Sequence, residues 1–200
     1  MKEPPQSRKD FFKEAFSFFK KGAANHVERK VLKKMELPLR PPGALDELEF
    51  LSTCTRCDAC IQACPHHSIL KKSMQGVSAG TPYVDPQKQG CHLCEDVPCV
   101  AACEPQALRM DLLQKGFRMG RASVNTEACI TFRETVCTSC YDACPFPEVA
   151  IRIDQERHPE VLDGCVGCGL CTKPCPASPK AIDSHSHGYH RKQELDDFLF

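Results

Sequence analysis

The chain has 200 residues, sixteen cysteines, no tryptophan and a formal net charge of zero. It contains no apolar run of about 18 residues, so no membrane span is predicted, and the balanced charge argues against a dedicated nucleic-acid-binding protein. Large aliphatic side chains are too few for an ordinary core, so this many cysteines call for disulfides or bound metal.

Residues 10–35 predict one or two amphipathic helices, because Phe12, Phe16 and Phe19 recur at helical spacing. The segment is rich in lysine and arginine, and basic amphipathic helices lie on membrane surfaces or dock on partner proteins. The alternative is a helix that packs across the rest of the chain. We define residues 1–38 as a basic amphipathic extension that docks or packs, with peripheral membrane contact through residues 10–35 as one form of docking.

Residues 7–13 resemble a degenerate twin-arginine export signal. The apolar stretch that should follow is interrupted by Glu14, Lys20 and Lys21, and no cleavage site of small residues is evident. We therefore expect a cytoplasmic protein, with the periplasm as the alternative. Disulfides are rare in a reducing compartment, so the cysteines point to metal.

The cysteines form four consecutive quartets. These are Cys54, Cys57, Cys60 and Cys64; Cys91, Cys94, Cys99 and Cys103; Cys129, Cys137, Cys140 and Cys144; and Cys165, Cys168, Cys171 and Cys175. The first and fourth quartets match the bacterial ferredoxin run C-x2-C-x2-C-x3-C-P, in which three thiolates hold one [4Fe–4S] cluster and the fourth holds its neighbour. A structural zinc site would instead use two separated pairs of ligands. All sixteen cysteines are therefore predicted to hold four [4Fe–4S] clusters.

The spacing leaves open which quartets exchange their fourth cysteine. Adjacent pairing joins the first quartet to the second and the third to the fourth, whereas nested pairing joins the first to the fourth and the second to the third. We favour nesting because the first and fourth quartets share one pattern. The predicted ligand sets are Cys54, Cys57, Cys60 and Cys175; Cys165, Cys168, Cys171 and Cys64; Cys91, Cys94, Cys99 and Cys144; and Cys129, Cys137, Cys140 and Cys103.

Short extended segments flank the quartets. A small residue and a branched apolar one follow each quartet, and the first three continue into alternating stretches that predict strands. The predicted fold is therefore α+β: tandem ferredoxin-like domains with two [4Fe–4S] clusters each, built from small hairpins and short helices behind the helical extension. Residues 39–183 form this polyferredoxin region and residues 184–200 a C-terminal tail.

The chain resembles the NapG/MauM family of four-cluster polyferredoxins from about residue 39 to its end. The motifs that carry the resemblance are Leu39-Arg40-Pro41-Pro42-Gly43-Ala44, Gly80-Thr81-Pro82-Tyr83, Cys94-Glu95-Asp96-Val97-Pro98-Cys99, Arg118-Met119-Gly120, Gly164-Cys165-Val166-Gly167-Cys168-Gly169 and His187-Gly188-Tyr189-His190-Arg191. The resemblance implies an electron-transfer protein, which in the best-known members works beside a quinol-oxidising membrane partner. Family members typically carry a full twin-arginine signal, whereas this chain has only the degenerate segment at residues 7–13.

Two functions follow as expectations. The first is a carrier or subunit, not itself an enzyme, that relays single electrons to or from a larger oxidoreductase. The second is a NapG-like component of a quinol dehydrogenase that feeds a periplasmic reductase. Each cluster with four thiolates carries a formal charge of about −2, so the loaded protein is expected to be acidic.

Overall fold

The structure is a computed structural model that describes residues 37–73, 76–114 and 116–186. The helices predicted over residues 10–35 and the tail beyond residue 186 lie outside the described residues. Within the described ranges, no helix combines the length and apolar character needed to cross a membrane.

The helices are short and most of them are tied to a quartet. They are α1 (Glu47–Thr53), α2 (Ala59–Gln62), α3 (Pro98–Ala101) and α4 (Ser139–Asp142), with single 3-10 turns at Asp111–Leu113 and Ile130–Arg133. Helices α2, α3 and α4 each contain the third cysteine of a quartet: Cys60, Cys99 and Cys140. One helical turn therefore separates the third cysteine from the fourth.

Six strands form three antiparallel pairs. They are β1 (Ile69–Lys71), β2 (Pro82–Val84), β3 (Gly120–Val124), β4 (Ile151–Ile153), β5 (Pro159–Val161) and β6 (Ile182–Ser186). β1 pairs with β2, β4 with β5, and β3 with β6. The β1–β2 hairpin joins the first quartet to the second, and the β4–β5 hairpin joins the third to the fourth.

We call residues 38–114 the first half of the described chain and residues 116–186 the second half. In each half, besides the hairpin, a further set of backbone hydrogen bonds joins the start of the half to its end. In the first half, the Leu45 N–H donates to the Ala107 carbonyl at 3.1 Å, and the Arg109 N–H donates to the Gly43 carbonyl at 2.7 Å. In the second half, the segment before the third quartet pairs with the segment after the fourth, as β3 with β6. Each half thus joins its own beginning to its own end.

Gly43 allows the first closure. Its φ is +71°, and a Cβ there would lie 2.6 Å from the Arg109 carbonyl oxygen. Any side chain would therefore force the two segments apart, in addition to the strain of a left-handed backbone.

Two expectations about strands need correction. Leu108, where a strand was predicted after the second quartet, makes only an isolated bridge with Ala44. The strand after the fourth quartet, which the pattern did not predict, is β6. Because β6 runs to Ser186, the boundary predicted between residues 183 and 184 falls inside a strand, and Ser184 is a buried residue of that strand rather than part of a separate tail.

The conventional apolar core is thin. The large buried side chains include Phe50, which has no exposed surface, while most other buried apolar residues are small or β-branched and lie beside cysteines. Arg40 is also buried: its guanidinium stacks over the Phe50 ring at 4.5 Å and forms an ion pair with Glu47 at 2.6 Å. The same guanidinium donates to the Thr81 hydroxyl at 2.8 Å. The Arg40 side chain therefore links α1, through Glu47, to the residue that precedes β2.

Candidate metal centre

Three cysteines of the first quartet face a cavity together with the last cysteine of the second. We call this set group A: Cys54, Cys57, Cys60 and Cys103. The cavity encloses about 330 Å³ of space, counting the mouth that opens to solvent, and Phe50 and Leu108 form part of its wall. The pKa of the Cys60 thiol is raised to about 12, first by burial and then by the nearby Cys103, Cys54 and Cys57. The four cysteines that line the cavity are therefore Cys60 itself and the three whose thiols raise its pKa.

The second quartet supplies three thiols to group B, which consists of Cys64, Cys91, Cys94 and Cys99. Cys64, Cys91 and Cys99 are buried in one cluster of packed side chains. Burial raises the pKa of Cys99 to about 12, with further contributions from Cys91, Cys64 and Cys60. Burial also raises the pKa of Cys94, and Cys64 adds to that shift.

The second half repeats this arrangement in two cavities. Group C lines a cavity of about 360 Å³ and consists of Cys144, Cys165, Cys168 and Cys171. Group D lines a cavity of about 350 Å³ and consists of Cys129, Cys137, Cys140 and Cys175. Both volumes again include the mouth.

The structure brings together the first three cysteines of one quartet and the fourth of another, but the partner quartet is not the predicted one. Nested pairing placed Cys175 with the first quartet, Cys64 with the fourth, Cys144 with the second and Cys103 with the third. In the structure these four cysteines join the quartet adjacent in sequence, so the nested pairing is wrong. The cause is the strand pairing: β1–β2 and β4–β5 link adjacent quartets, and the two closures seal each half. A shared cysteine spacing carries no information about that topology.

All sixteen cysteines are free, so the disulfide alternative does not describe this structure. Among the residues described, no three His, Cys, Asp or Glu side chains converge as they would round one metal ion. The thiols of groups A, C and D line the walls of cavities instead.

The chemistry of these walls fits a cationic inorganic cluster. Burial raises the pKa of Cys171 to about 12 and that of Cys140 to about 11, with neighbouring thiols adding to both shifts. Four buried thiolates side by side are therefore unfavourable without a compensating positive charge. Bound iron would supply that charge, and a thiol that coordinates a metal ion is deprotonated.

Backbone N–H groups point at several of the sulfur atoms. The Ser68 N–H donates to Cys64 Sγ, the Leu108 N–H to Cys103 Sγ and the Ala181 N–H to Cys175 Sγ, each at 3.4 Å. Each donor lies four to six residues after the fourth cysteine of its quartet. The Ala122 N–H donates to Cys165 Sγ at the same distance. Such donors stabilise negative charge on sulfur.

A buried hydroxyl also faces a cavity. Ser184 lines the group C cavity, and its Oγ has no hydrogen-bond partner within the described part of the chain. A buried hydroxyl without a partner is costly. A sulfur atom inside the cavity would accept its hydrogen bond, so the site fits a sulfur-containing group.

Branched apolar residues from the extended segments that flank the quartets line the three cavities. Leu108 lines the cavity of group A, Ile151 and Val161 that of group C, and Val124 and Ile182 that of group D. Sequence analysis did not single out Ser184 or Arg40 as individual residues. Arg40 lies in one of the motifs that carry the family resemblance. No sequence pattern pointed to Ser184, because the strand that buries it was not predicted.

Comparison with known proteins gives close relatives over most of the chain. The ferredoxin-type protein NapG of Escherichia coli is 37% identical over 175 residues, which cover 80% of this chain and 76% of that protein. The methylamine utilization ferredoxin-type protein MauM of Methylorubrum extorquens is 35% identical over 155 residues, which cover 72% of this chain and 70% of that protein. The ferredoxin-type protein NapF of Escherichia coli is 32% identical over 158 residues, which cover 74% and 87%.

No protein-family model and no solved structure matches the chain. The relatives are nevertheless ferredoxin-type proteins, and the grouping of the thiols in fours is what an iron–sulfur protein requires. The chain belongs to the NapG/MauM family of ferredoxin-type proteins and is an electron-transfer iron–sulfur protein.

Proposed function

We propose that the chain holds four [4Fe–4S] clusters and relays single electrons to or from a larger oxidoreductase. The observation that supports this most directly is the gathering of sixteen free cysteines into four groups of four, three of them round cavities of about 330 to 360 Å³. Four thiolates per group is the ligand set of a [4Fe–4S] cluster.

The proposed ligand sets are groups A, B, C and D. On this assignment the first half is one two-cluster ferredoxin-like domain and the second half is another. The matching closures of the two halves, Leu45 with Ala107 and Asn125 with Ala181, support this division. Both are hydrogen bonds between the segment before one quartet and the segment after the next.

A bound [4Fe–4S] cluster would accept and release one electron. The residues of the chain hold that group, shield it and set its potential. The thiolates would supply one protein ligand to each iron, and apolar residues that line the cavities, such as Leu108 and Ile151, limit the access of water. Because every iron has a protein ligand, no open position remains for a substrate, and we propose a carrier rather than an enzyme.

The partner is proposed from charge. The chain alone is neutral, but four clusters bring the loaded protein to a net charge of about −8. Oppositely charged surfaces steer electron-transfer partners together. The larger oxidoreductase is therefore expected to present a basic face to this protein.

Metal and acid-labile sulfide analysis of anaerobically purified protein tests the proposal. We expect about sixteen iron and about sixteen sulfide per chain, four of each for every cluster. About four zinc per chain without sulfide would instead show structural zinc sites. Fewer clusters than four, with some thiols titratable in the folded protein, would contradict the proposed number.

The second candidate function is a component of a quinol dehydrogenase that feeds a periplasmic reductase. The identity of 37% to the NapG protein favours it, because family resemblance implies that role. Fusion of the full chain to a reporter that works only after export separates the two candidates. An active reporter, together with cluster reduction by quinol in membranes that contain the partner, would support the second candidate. An inactive reporter would exclude it.

A further inference from the structure

The two halves meet where the second quartet approaches the fourth. The Cys91 N–H donates to the Cys168 carbonyl at 2.7 Å, and both residues are buried. Cys91 belongs to group B and Cys168 to group C. Cys168 also packs in the same buried cluster as Cys64 and Cys91 of the first half.

Gly90 makes this approach possible. A Cβ on Gly90 would lie 2.5 Å from the backbone nitrogen of Leu170 and 2.6 Å from the carbonyl carbon of Gly169. Backbone atoms cannot move aside as a flexible side chain can, so any larger residue must push the two loops apart. The Gly90 carbonyl accepts a hydrogen bond from the buried Ser68 hydroxyl at 2.7 Å, which anchors Gly90 to the first half.

More contacts hold the same two loops together. A Cβ on Gly169 would lie 2.8 Å from the Cβ of Pro86, and Lys173 Nζ donates to Gln89 Oε1 at 2.9 Å. Residues 86–91 therefore lie along residues 168–173. This strip, which we call the inner junction, is built from the loops that carry Cys91 and Cys168.

The outer groups are each adjacent to one inner group. Helices α2 and α3 pack against each other and carry Cys60 of group A and Cys99 of group B. In the second half, Cys140 and Cys175 of group D lie in one buried cluster, and Cys165 and Cys171 of group C pack against it. Group A thus adjoins B, B adjoins C, and C adjoins D.

We propose that the four metal centres form a single line in the order A, B, C, D, with A and D as its ends, and that Gly90 is the positioning residue that holds B against C. The inference rests on the proposed function, since it takes each group as the site of one cluster. It adds the order of the centres and the place where the two halves exchange electrons.

Proteins that retain only two groups test the order. The inner-pair protein loses groups A and D through C57A, C60A, C137A and C140A. The matched outer-pair protein loses groups B and C through C94A, C99A, C165A and C171A. Each should hold about eight iron, four for each remaining cluster. After full reduction, magnetic resonance spectra should show split, interacting signals for the inner-pair protein and two simple signals for the outer-pair protein. The reverse result would overturn the order.

A glycine pair tests the junction without removing any ligand. In the full chain, G90V should keep the native iron content but lose part of the splitting between B and C. G164V is the control, because a Cβ on Gly164 would lie 2.5 Å from the Val149 carbonyl oxygen, an equally close contact within the second half. Native splitting in G90V would overturn the role of Gly90, as would an equal loss of iron in both variants.

Iron analysis of the unmodified protein distinguishes the two levels of failure. If it holds fewer than four clusters, the proposed function fails and the order fails with it. If it holds four but the inner-pair protein shows no interaction, only the order fails.

Discussion

At the scale of single residues, the hydrogen bonds aimed at sulfur set the electrostatics of each centre. Most of the donors are backbone N–H groups, such as those of Ser68 and Ala181, which no substitution except proline removes. Ser184 differs because it offers a side-chain hydroxyl to the group C cavity. This residue therefore gives experimental control over one centre.

We predict that S184A lowers the reduction potential of the group C centre. The hydroxyl stabilises the extra negative charge of the reduced state, and its loss disfavours reduction. A hydrogen bond worth about 0.5–1.5 kcal/mol corresponds to a shift of roughly 20–65 mV for one electron. A redox titration followed by magnetic resonance measures the shift.

The control is S123A, which removes an exposed serine hydroxyl from β3. It should leave all potentials unchanged. A rise in the group C potential in S184A, or equal shifts in both variants, would contradict the assigned hydrogen bond.

At the scale of elements, Arg40 fastens the first half. Its ion pair with Glu47 is almost fully buried, with side-chain exposures of 8% and 11%. Removing one partner leaves the other charge buried and unpaired, which costs more than the pair itself contributes.

We predict that R40L destabilises the protein by about 3–5 kcal/mol. The measurement is the denaturant midpoint for loss of the visible iron–sulfur absorption. R40L/E47L should recover part of the loss, because no unpaired buried carboxylate remains. R109A, which breaks an exposed ion pair with Asp111, is the control and should change the midpoint little. Equal midpoints in R40L and R109A would contradict the structural role of Arg40.

The sequence predicts these elements unevenly. Alternation after Cys64 and Cys144 identifies β1 and β4, because those strands pair within a local hairpin. The pairing of β3 with β6 joins segments about sixty residues apart, and no local pattern encodes it. The same reason explains why the nested pairing is wrong. The cysteine spacing identifies Cys175 as a ligand of a neighbouring quartet, but which quartet that is depends on the pairing of strands far apart in the sequence. Gly90 stands out only when the neighbouring backbone is known.

At the scale of the whole molecule, the cavities replace a conventional core. Small and β-branched residues surround the thiols, and burial together with thiol–thiol proximity raises the pKa values of Cys60, Cys99 and Cys171 to about 12. Without a bound cluster, no positive charge compensates these thiolates. The apolar core is then too thin to offset the conformational entropy that the chain loses on folding.

We therefore predict that iron removal unfolds the protein. Metal-binding free energy in such sites is folding free energy. Anaerobic treatment with an oxidant and an iron chelator should abolish the cooperative thermal transition seen by circular dichroism, and reconstitution with iron and sulfide should restore it. A cooperative transition in the iron-free protein would contradict this account.

Charge gives a second prediction at this scale. The sequence has an isoelectric point of about 7.0. Four clusters add a charge of about −8, so the loaded protein should focus well below that value. Native isoelectric focusing under anaerobic conditions measures the difference between loaded protein and iron-free chain. Equal isoelectric points would contradict the assigned cluster charge.

The central claim, that sixteen thiols form four metal-binding groups drawn from adjacent quartets, is tested most directly by iron content in two double variants. C137A/C175A removes two ligands from group D alone, so we predict loss of one whole cluster, with about twelve iron remaining and the other signals native. C57A/C175A removes one ligand each from groups A and D, so two clusters should show altered signals. One lost cluster in C57A/C175A and two altered clusters in C137A/C175A would contradict the account.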